Sequence, residues 1–241
     1  MDRTAHIVGT AITPMNRRDR TAEDMAQQVV AEALADADVD AADVNLVVFG
    51  NATAGRLIDQ GCIRGQTFLS RSGLRHAGII NVDNSCAGGS SALHMATLAS
   101  LAGTGTVLAV GVEKMWTGDR RATLAGIEDG VPLADRTYLH ETMENPSGSV
   151  LMALNATWAI SVMEERGATV EQFAAAAVKA RRHGSLNPDA QFQSEVTLEE
   201  VLESAPIVWP LTRLMCSSFT DGGPGTQGPP DPDQHGPLRQ R

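Results

Sequence analysis

A cysteine between a short apolar run and a helix-forming run is the first feature with chemical meaning. In Asn81-Val-Asp-Asn-Ser-Cys86-Ala-Gly-Gly-Ser-Ser-Ala-Leu-His-Met95, strand-like residues deliver Cys86 to the first turn of a helix. The unpaired N–H groups of a helix N-terminus and the positive end of its dipole favour a thiolate over a thiol, which makes Cys86 a candidate nucleophile. Gly88 and Gly89 lack a Cβ, so an acyl group and the neighbouring backbone could come close to the sulfur. The competing expectation is a buried structural cysteine that happens to begin a helix.

The other two cysteines, Cys62 and Cys216, are widely spaced, and the total of three forms neither a disulfide framework nor a CxxC metal site. Cys216, in Leu214-Met-Cys-Ser-Ser, reads as a packed strand or loop residue, and Cys62 offers no electropositive setting either. His94 lies two turns into an apolar helix and reads as a satisfied core histidine rather than a base. Glu113 and Lys114 end a strand and help shape the site or a subunit contact, without an assigned role.

The elements that must position Cys86 alternate between strand and helix. His6 to Ile12 is a short β-rich run, and Thr21-Ala-Glu-Asp24 offers an N-cap with a carboxylate at the third helical position. Ala22, Met25, Ala26, Val29, Val30, Ala33, Leu34 and Ala37 then recur at helical spacing, opposite Glu23, Gln27, Gln28, Glu32 and Asp36. Val44 to Phe49, Ile79 to Val82 and Thr106 to Val112 have the composition of strands buried on both faces. After Cys86, Ala92, Leu93, Met95, Ala96, Leu98, Ala99 and Leu101 predict a helix apolar nearly all round, as in a layer between two others.

From Gly118 to about Pro206 the pattern changes to that of an insertion. Gly118 to Ser149 reads as loops, followed by helices over Ser149 to Arg166, from Thr169-Val-Glu-Gln172 to Gly184, and over Thr197 to Glu203. The basic turn of Lys179, Arg181, Arg182 and His183 suits the C-terminus of a helix, with a phosphate contact as the alternative.

Four segments carry a resemblance to a known family: Asn84-Ser-Cys86-Ala-Gly-Gly-Ser-Ser-Ala92, Ala109-Val-Gly-Val-Glu-Lys-Met115, Asn187-Pro-Asp-Ala-Gln-Phe-Gln193 and Pro210-Leu-Thr-Arg-Leu-Met-Cys-Ser-Ser-Phe-Thr-Asp-Gly222. In order and spacing they resemble the amino-terminal half of the thiolase superfamily, within it the sterol-carrier-protein-type thiolases. The resemblance implies an α/β fold with a mixed sheet, helices on both faces, and an inserted helical loop domain over about 116–206 of a 1–222 domain. It implies that Cys86 is acylated by an acyl-CoA or 3-ketoacyl-CoA thioester, with coenzyme A present as part of the substrate and no bound cofactor or metal. The dimer contact of the family falls on Cys62 to Ser91. A homodimer, or a hetero-oligomer with a thiolase-like or accessory chain, is therefore expected, in lipid or fatty-acid metabolism.

Three further motifs of the family have no counterpart here: a GHPxGxTG-like stretch with a histidine, an Asn- or His-containing turn, and a CxG stretch. The acid–base groups that such chemistry needs are expected from elsewhere, and this chain alone is expected to be defective. The alternative is a non-catalytic subunit or remnant that depends on a partner for those groups.

After Gly222 the composition shifts to five prolines and four glycines in nineteen residues, and residues 223–241 are expected to be a disordered tail unable to supply a strand. The shift is compatible with an altered reading frame and with a natural tail. The formal charge of −10, without a basic stripe, argues against nucleic acid as a partner. The N-terminus lacks a basic region leading into an apolar run, and His94, Gly103 and Gly105 interrupt the apolar stretch from Ala92 to Val112. No secretion signal or membrane span is expected, and the cysteine usage suits a reducing cytoplasm.

Overall fold

The computed structural model describes residues 4–16, 20–143 and 149–227. In chain order the elements are β1 (Gly9–Ile12), α1 (Ala22–Ala37), β2 (Val44–Gly50), α2 (Ala54–Leu57), α3 (Arg64–Phe68), β3 (Gly78–Val82), α4 (Gly88–Leu101) and β4 (Thr106–Gly111). They continue with α5 (Arg120–Glu128), α6 (Leu133–Thr142), α7 (Val150–Arg166), α8 (Val170–Ser185), α9 (Leu198–Glu203), β5 (Pro206–Val208), β6 (Leu211–Thr212) and β7 (Pro224–Gln227). The chain divides into two compact units, one formed by Met1–Met115 with Asp221–Arg241 and the other by Trp116–Thr220.

The first unit is built on a five-stranded sheet in the order β1-β7-β4-β2-β3. β2 runs parallel to β3 and β4, whereas β7 is antiparallel to both β1 and β4, so the sheet is mixed. Side chains alternate along a strand, and here both faces are covered. Val47, Phe49, Leu108 and Val110 pack with Met25, Ala26, Val29, Val30 and Ala33 of α1. Val48, Val107 and Ala109 pack with Ala92 and Ala96 of α4 on the opposite face. α1 starts at the expected cap: the Asp24 N–H donates to Thr21 Oγ1 at 3.0 Å and the Thr21 N–H donates to Asp24 Oδ2 at 3.1 Å.

Two expectations for this unit are corrected. β3 is an edge strand rather than a strand buried on both faces, and Ile80 is 44% exposed. More consequentially, residues 224–227 form β7, the strand between β1 and β4, where a composition argument placed a disordered tail. The residues that argued against a strand are the ones the position demands. A Cβ on Gly223 would fall 2.3 Å from the carbonyl oxygen of Gly111, so only glycine passes there. Pro224 occupies the first position of its strand, where a missing N–H is tolerated. Thr13 closes the entry, its N–H donating to the Gly223 carbonyl at 3.0 Å and its Oγ1 accepting from the Gly223 N–H at 2.9 Å. The rest of the expected tail, 228–241, lies outside the described residues.

In the second unit, α7 ends at Gly167 with φ 66° and a capping box opens α8 at Thr169, as the sequence predicts, and a further capping box at Thr197 opens α9. Gly118 to Ser149 is not all loop, because α5 and α6 lie within it. Both are poor in apolar residues, and polar side-chain contacts help to hold them. Asp119 Oδ1 accepts the Arg121 N–H at 2.8 Å at the start of α5. The buried Glu128 accepts the Val150 N–H at 2.9 Å and faces His140 Nε2 at 3.0 Å, which ties α5 to α6 and to the first turn of α7. Among the described residues, no helix is long and apolar enough to cross a membrane.

Candidate active site

Cys86 sits where β3 gives way to α4, on a 3₁₀ turn (Ser85–Ala87) that runs directly into the helix rather than on the helix's own first turn. The thiol is exposed, which removes the buried structural cysteine as an account of this chain. The residue before it, Ser85, has φ 47°, a left-handed conformation that is uncommon outside glycine. The Ser85 hydroxyl faces the Cys86 sulfur at 3.9 Å. Asn84 Nδ2 donates to Ser91 Oγ at 2.9 Å and ties the turn to the first turn of α4.

The helix reaches this position because its first residues pass close to the ends of two strands. A Cβ on Gly50, the last residue of β2, would lie 2.8 Å from the Gly88 carbonyl oxygen, so a side chain there would push the N-terminus of α4 off the sheet. Gly88 is therefore buried in that seat, and it is Gly89 that is exposed and open next to the turn.

A polar network surrounds the turn. Asp83 Oδ1 accepts the Ser85 N–H at 3.2 Å, and Asp83 Oδ2 pairs with Arg64 at 3.3 Å. Arg64, its side chain 18% exposed, also donates to the carbonyl of Asn51 at 2.6 Å. The 51–53 loop is held in turn by Glu113, whose carboxylate accepts the Ala52 N–H at 2.5 Å, the Thr53 N–H and Asn51 Nδ2 at 3.2 Å each, and the Thr53 hydroxyl. Lys114 pairs at 2.5 Å with Asp221, which is 1% exposed and also accepts the Met115 N–H at 2.8 Å. Glu113 and Lys114 thus secure the backbone at the strand ends. Arg64 and Asp83 are invisible to motif reading; an acid three residues before a turn cysteine is the one available signal for Asp83.

The remaining candidates disperse. Cys62 is exposed on a loop before α3, and burial pushes the Cys216 thiol above its usual range, away from the thiolate that a nucleophile needs. His94 is exposed on α4, contrary to the expected core histidine, because only Ala92 and Ala96 of that stretch turn towards the sheet. Leu93, Met95 and Leu98 are 37%, 40% and 47% exposed, so within this chain α4 is covered on one side rather than sandwiched. In the second unit the Arg181 guanidinium stacks on the Phe192 ring at 4.0 Å, a structural use of one of the last-turn cations, while Arg182 and His183 are exposed. Among the described residues, no three His, Cys, Asp or Glu side chains gather to hold a metal.

The order of elements, the mixed sheet and the strand–turn–helix carrying an exposed cysteine define a thiolase-type amino-terminal half. The family profile described as "Thiolase, N-terminal domain" matches residues 5–204, and the chain belongs to that family. It is 32% identical over 224 residues to the benzoylsuccinyl-CoA thiolase subunit BbsB of Thauera aromatica, covering 92% of this chain and 54% of that protein. It is 32% identical over 228 residues to sterol carrier protein 2 of Bos taurus, covering 90% and 39%. Among solved structures, the Ltp2-ChsH2(DUF35) aldolase superimposes with a TM-score of 0.74 at 26% identity over 94% of this chain and 55% of that one. The chain spans about half the length, or less, of these relatives.

Proposed function

We propose that the chain carries the acyl-accepting thiol of a thiolase-type acyltransferase that acts on acyl-CoA or 3-ketoacyl-CoA thioesters in lipid or fatty-acid metabolism. The observation that supports this most directly is the exposed Cys86 on a turn at the N-terminus of α4, in a chain of the thiolase family. In the proposed step the Cys86 thiolate attacks the thioester carbonyl, a new S–C bond forms, the bond to the coenzyme A sulfur breaks, and the departing thiolate takes up a proton. With a 3-ketoacyl-CoA the attack falls on the 3-keto carbonyl, the bond between C2 and C3 breaks, and C2 takes the proton. Covalent catalysis of this kind divides one difficult transfer into two easier steps.

The test is incubation with acetyl-CoA or a 3-ketoacyl-CoA, followed by intact-mass measurement and peptide mapping. One acyl group on Cys86, absent in Cys86→Ala, is the expected result. Acylation of Cys62 or Cys216 instead would overturn the assignment.

A second reading, a subunit that depends on a partner chain for its acid–base groups, is favoured by two observations. Leu93, Met95 and Leu98 leave an apolar side of α4 uncovered, and two of the similar proteins are a subunit by name and an aldolase named as an Ltp2-ChsH2(DUF35) pair. On this reading the chain traps one acyl equivalent without turning over. Steady-state release of acetyl-CoA by the chain alone, lost in Cys86→Ala, would rule it out.

A further inference from the structure

Cys86 follows a residue whose backbone is held in an uncommon conformation. Ser85 holds φ 47°, and a side-chain-bearing residue stays there only if its surroundings compensate. The compensation visible here is the Asp83 carboxylate. One of its oxygens accepts the Ser85 N–H at 3.2 Å, while the other is held by Arg64 at 3.3 Å. Arg64 is anchored through the Asn51 carbonyl at 2.6 Å to the loop that Glu113 grips by three backbone or side-chain N–H groups and a hydroxyl. A rigid strand end is thus connected, bond by bond, to the residue that precedes the thiol.

We propose that Asp83, oriented by Arg64, is a positioning residue for Cys86: it holds Ser85 in the left-handed conformation that turns the thiol outwards at the head of α4. The inference rests on the assignment of Cys86 as the nucleophile. Asp83 acts on the backbone of Ser85, so its contribution should vanish when residue 85 reaches the same conformation unaided, as glycine does.

The experiment is a double-mutant cycle read by iodoacetamide alkylation, with Cys62 in the same molecule as the internal standard. The loss of a hydrogen bond that restrains a strained residue predicts that Asp83→Ala lowers the Cys86 rate about fivefold relative to Cys62. Asp83→Asn, whose amide oxygen can still accept the Ser85 N–H but whose NH2 then faces the Arg64 guanidinium donor to donor, falls between wild type and Asp83→Ala. In the Ser85→Gly background, Asp83→Ala changes the rate less than about twofold. Ser85→Val, with Asp83 intact, lowers the rate at least as far as Asp83→Ala does, because a β-branched residue resists positive φ; this arm stands even if Asp83→Ala fails to fold.

An unchanged Cys86 rate in Asp83→Ala or in Ser85→Val, or an equal loss from Asp83→Ala in both backgrounds, overturns the proposal. These outcomes are separate from failure of the nucleophile assignment, which shows as a wild-type Cys86 that alkylates no faster than Cys62.

Discussion

At the scale of the residue, the three thiols are distinguished by their surroundings. Cys86 is exposed at a helix N-terminus, Cys62 is exposed on a loop, and Cys216 is half-buried with its thiol pushed towards the protonated form. Under native conditions near neutral pH, iodoacetamide is expected to modify Cys86 first, Cys62 next and Cys216 last, which peptide mapping over time will check; early labelling of Cys216 would contradict the burial argument. Asp24 gives a prediction of a different kind. Bonds from the Thr21 side chain first, and from the Thr21 backbone N–H second, hold its carboxyl below the usual range. Because the folded value is depressed, the stabilisation is present above the unfolded value and is lost as pH falls through the folded one. Asp24→Asn is therefore expected to unfold at lower urea than wild type at pH 7, and the difference is expected to close in strong acid. A gap that persists unchanged in acid would show that the charge plays no part. Motif spacing is enough to place Cys86 at the junction of strand and helix and to find the Thr21–Asp24 cap, since both are local patterns. Asp83 and Arg64 escaped it because their role depends on a contact between residues nineteen positions apart, which no short motif encodes.

At the scale of the element, sequence patterning located α1 by its apolar spacing, β2 and β4 by their Val- and Ile-rich composition, and α7, α8 and α9 by their caps and stops. It missed α5 and α6, which are held by Glu128, Asp119 and similar polar contacts, and it missed β7 because composition was weighed without position. Glycine and proline weaken a strand in general, yet between β1 and β4 the close approach of the Gly111 carbonyl admits nothing larger. Gly223→Ala should displace β7 and destabilise the chain by about 1–3 kcal/mol, the usual cost of forcing added volume into a packed site. Urea unfolding measures this, and a change within error of zero would mean that β7 contributes little to the sheet. Thr226→Ala, at a mid-strand position paired with Ala109 and Thr10, serves as a milder control.

At the scale of the whole molecule, two exposed features point to association. β3 is an open sheet edge with Ile80 facing solvent, and α4 exposes Leu93, Met95 and Leu98. Unpaired edges and contiguous apolar surface favour partners. Light scattering at micromolar concentration is expected to show dimers or larger species, and Leu98→Glu is expected to shift the population towards monomer. A sharp monomer peak for the wild-type chain would contradict this.

The place of β7 also bears on how the molecule comes into being. Among the described strands, β1 pairs with β7 alone, so β1 has no hydrogen-bonding strand partner until residues 224–227 have been made. At ordinary translation rates that interval is on the order of ten seconds or longer. Once β2 and β4 have been made, α1 can settle on them while β1 still lacks its strand partner. β7 is thus inserted after both of its neighbours, β1 and β4, have been made, and until then β1 is held to the rest of the unit by its packing on α1 and by no strand ladder.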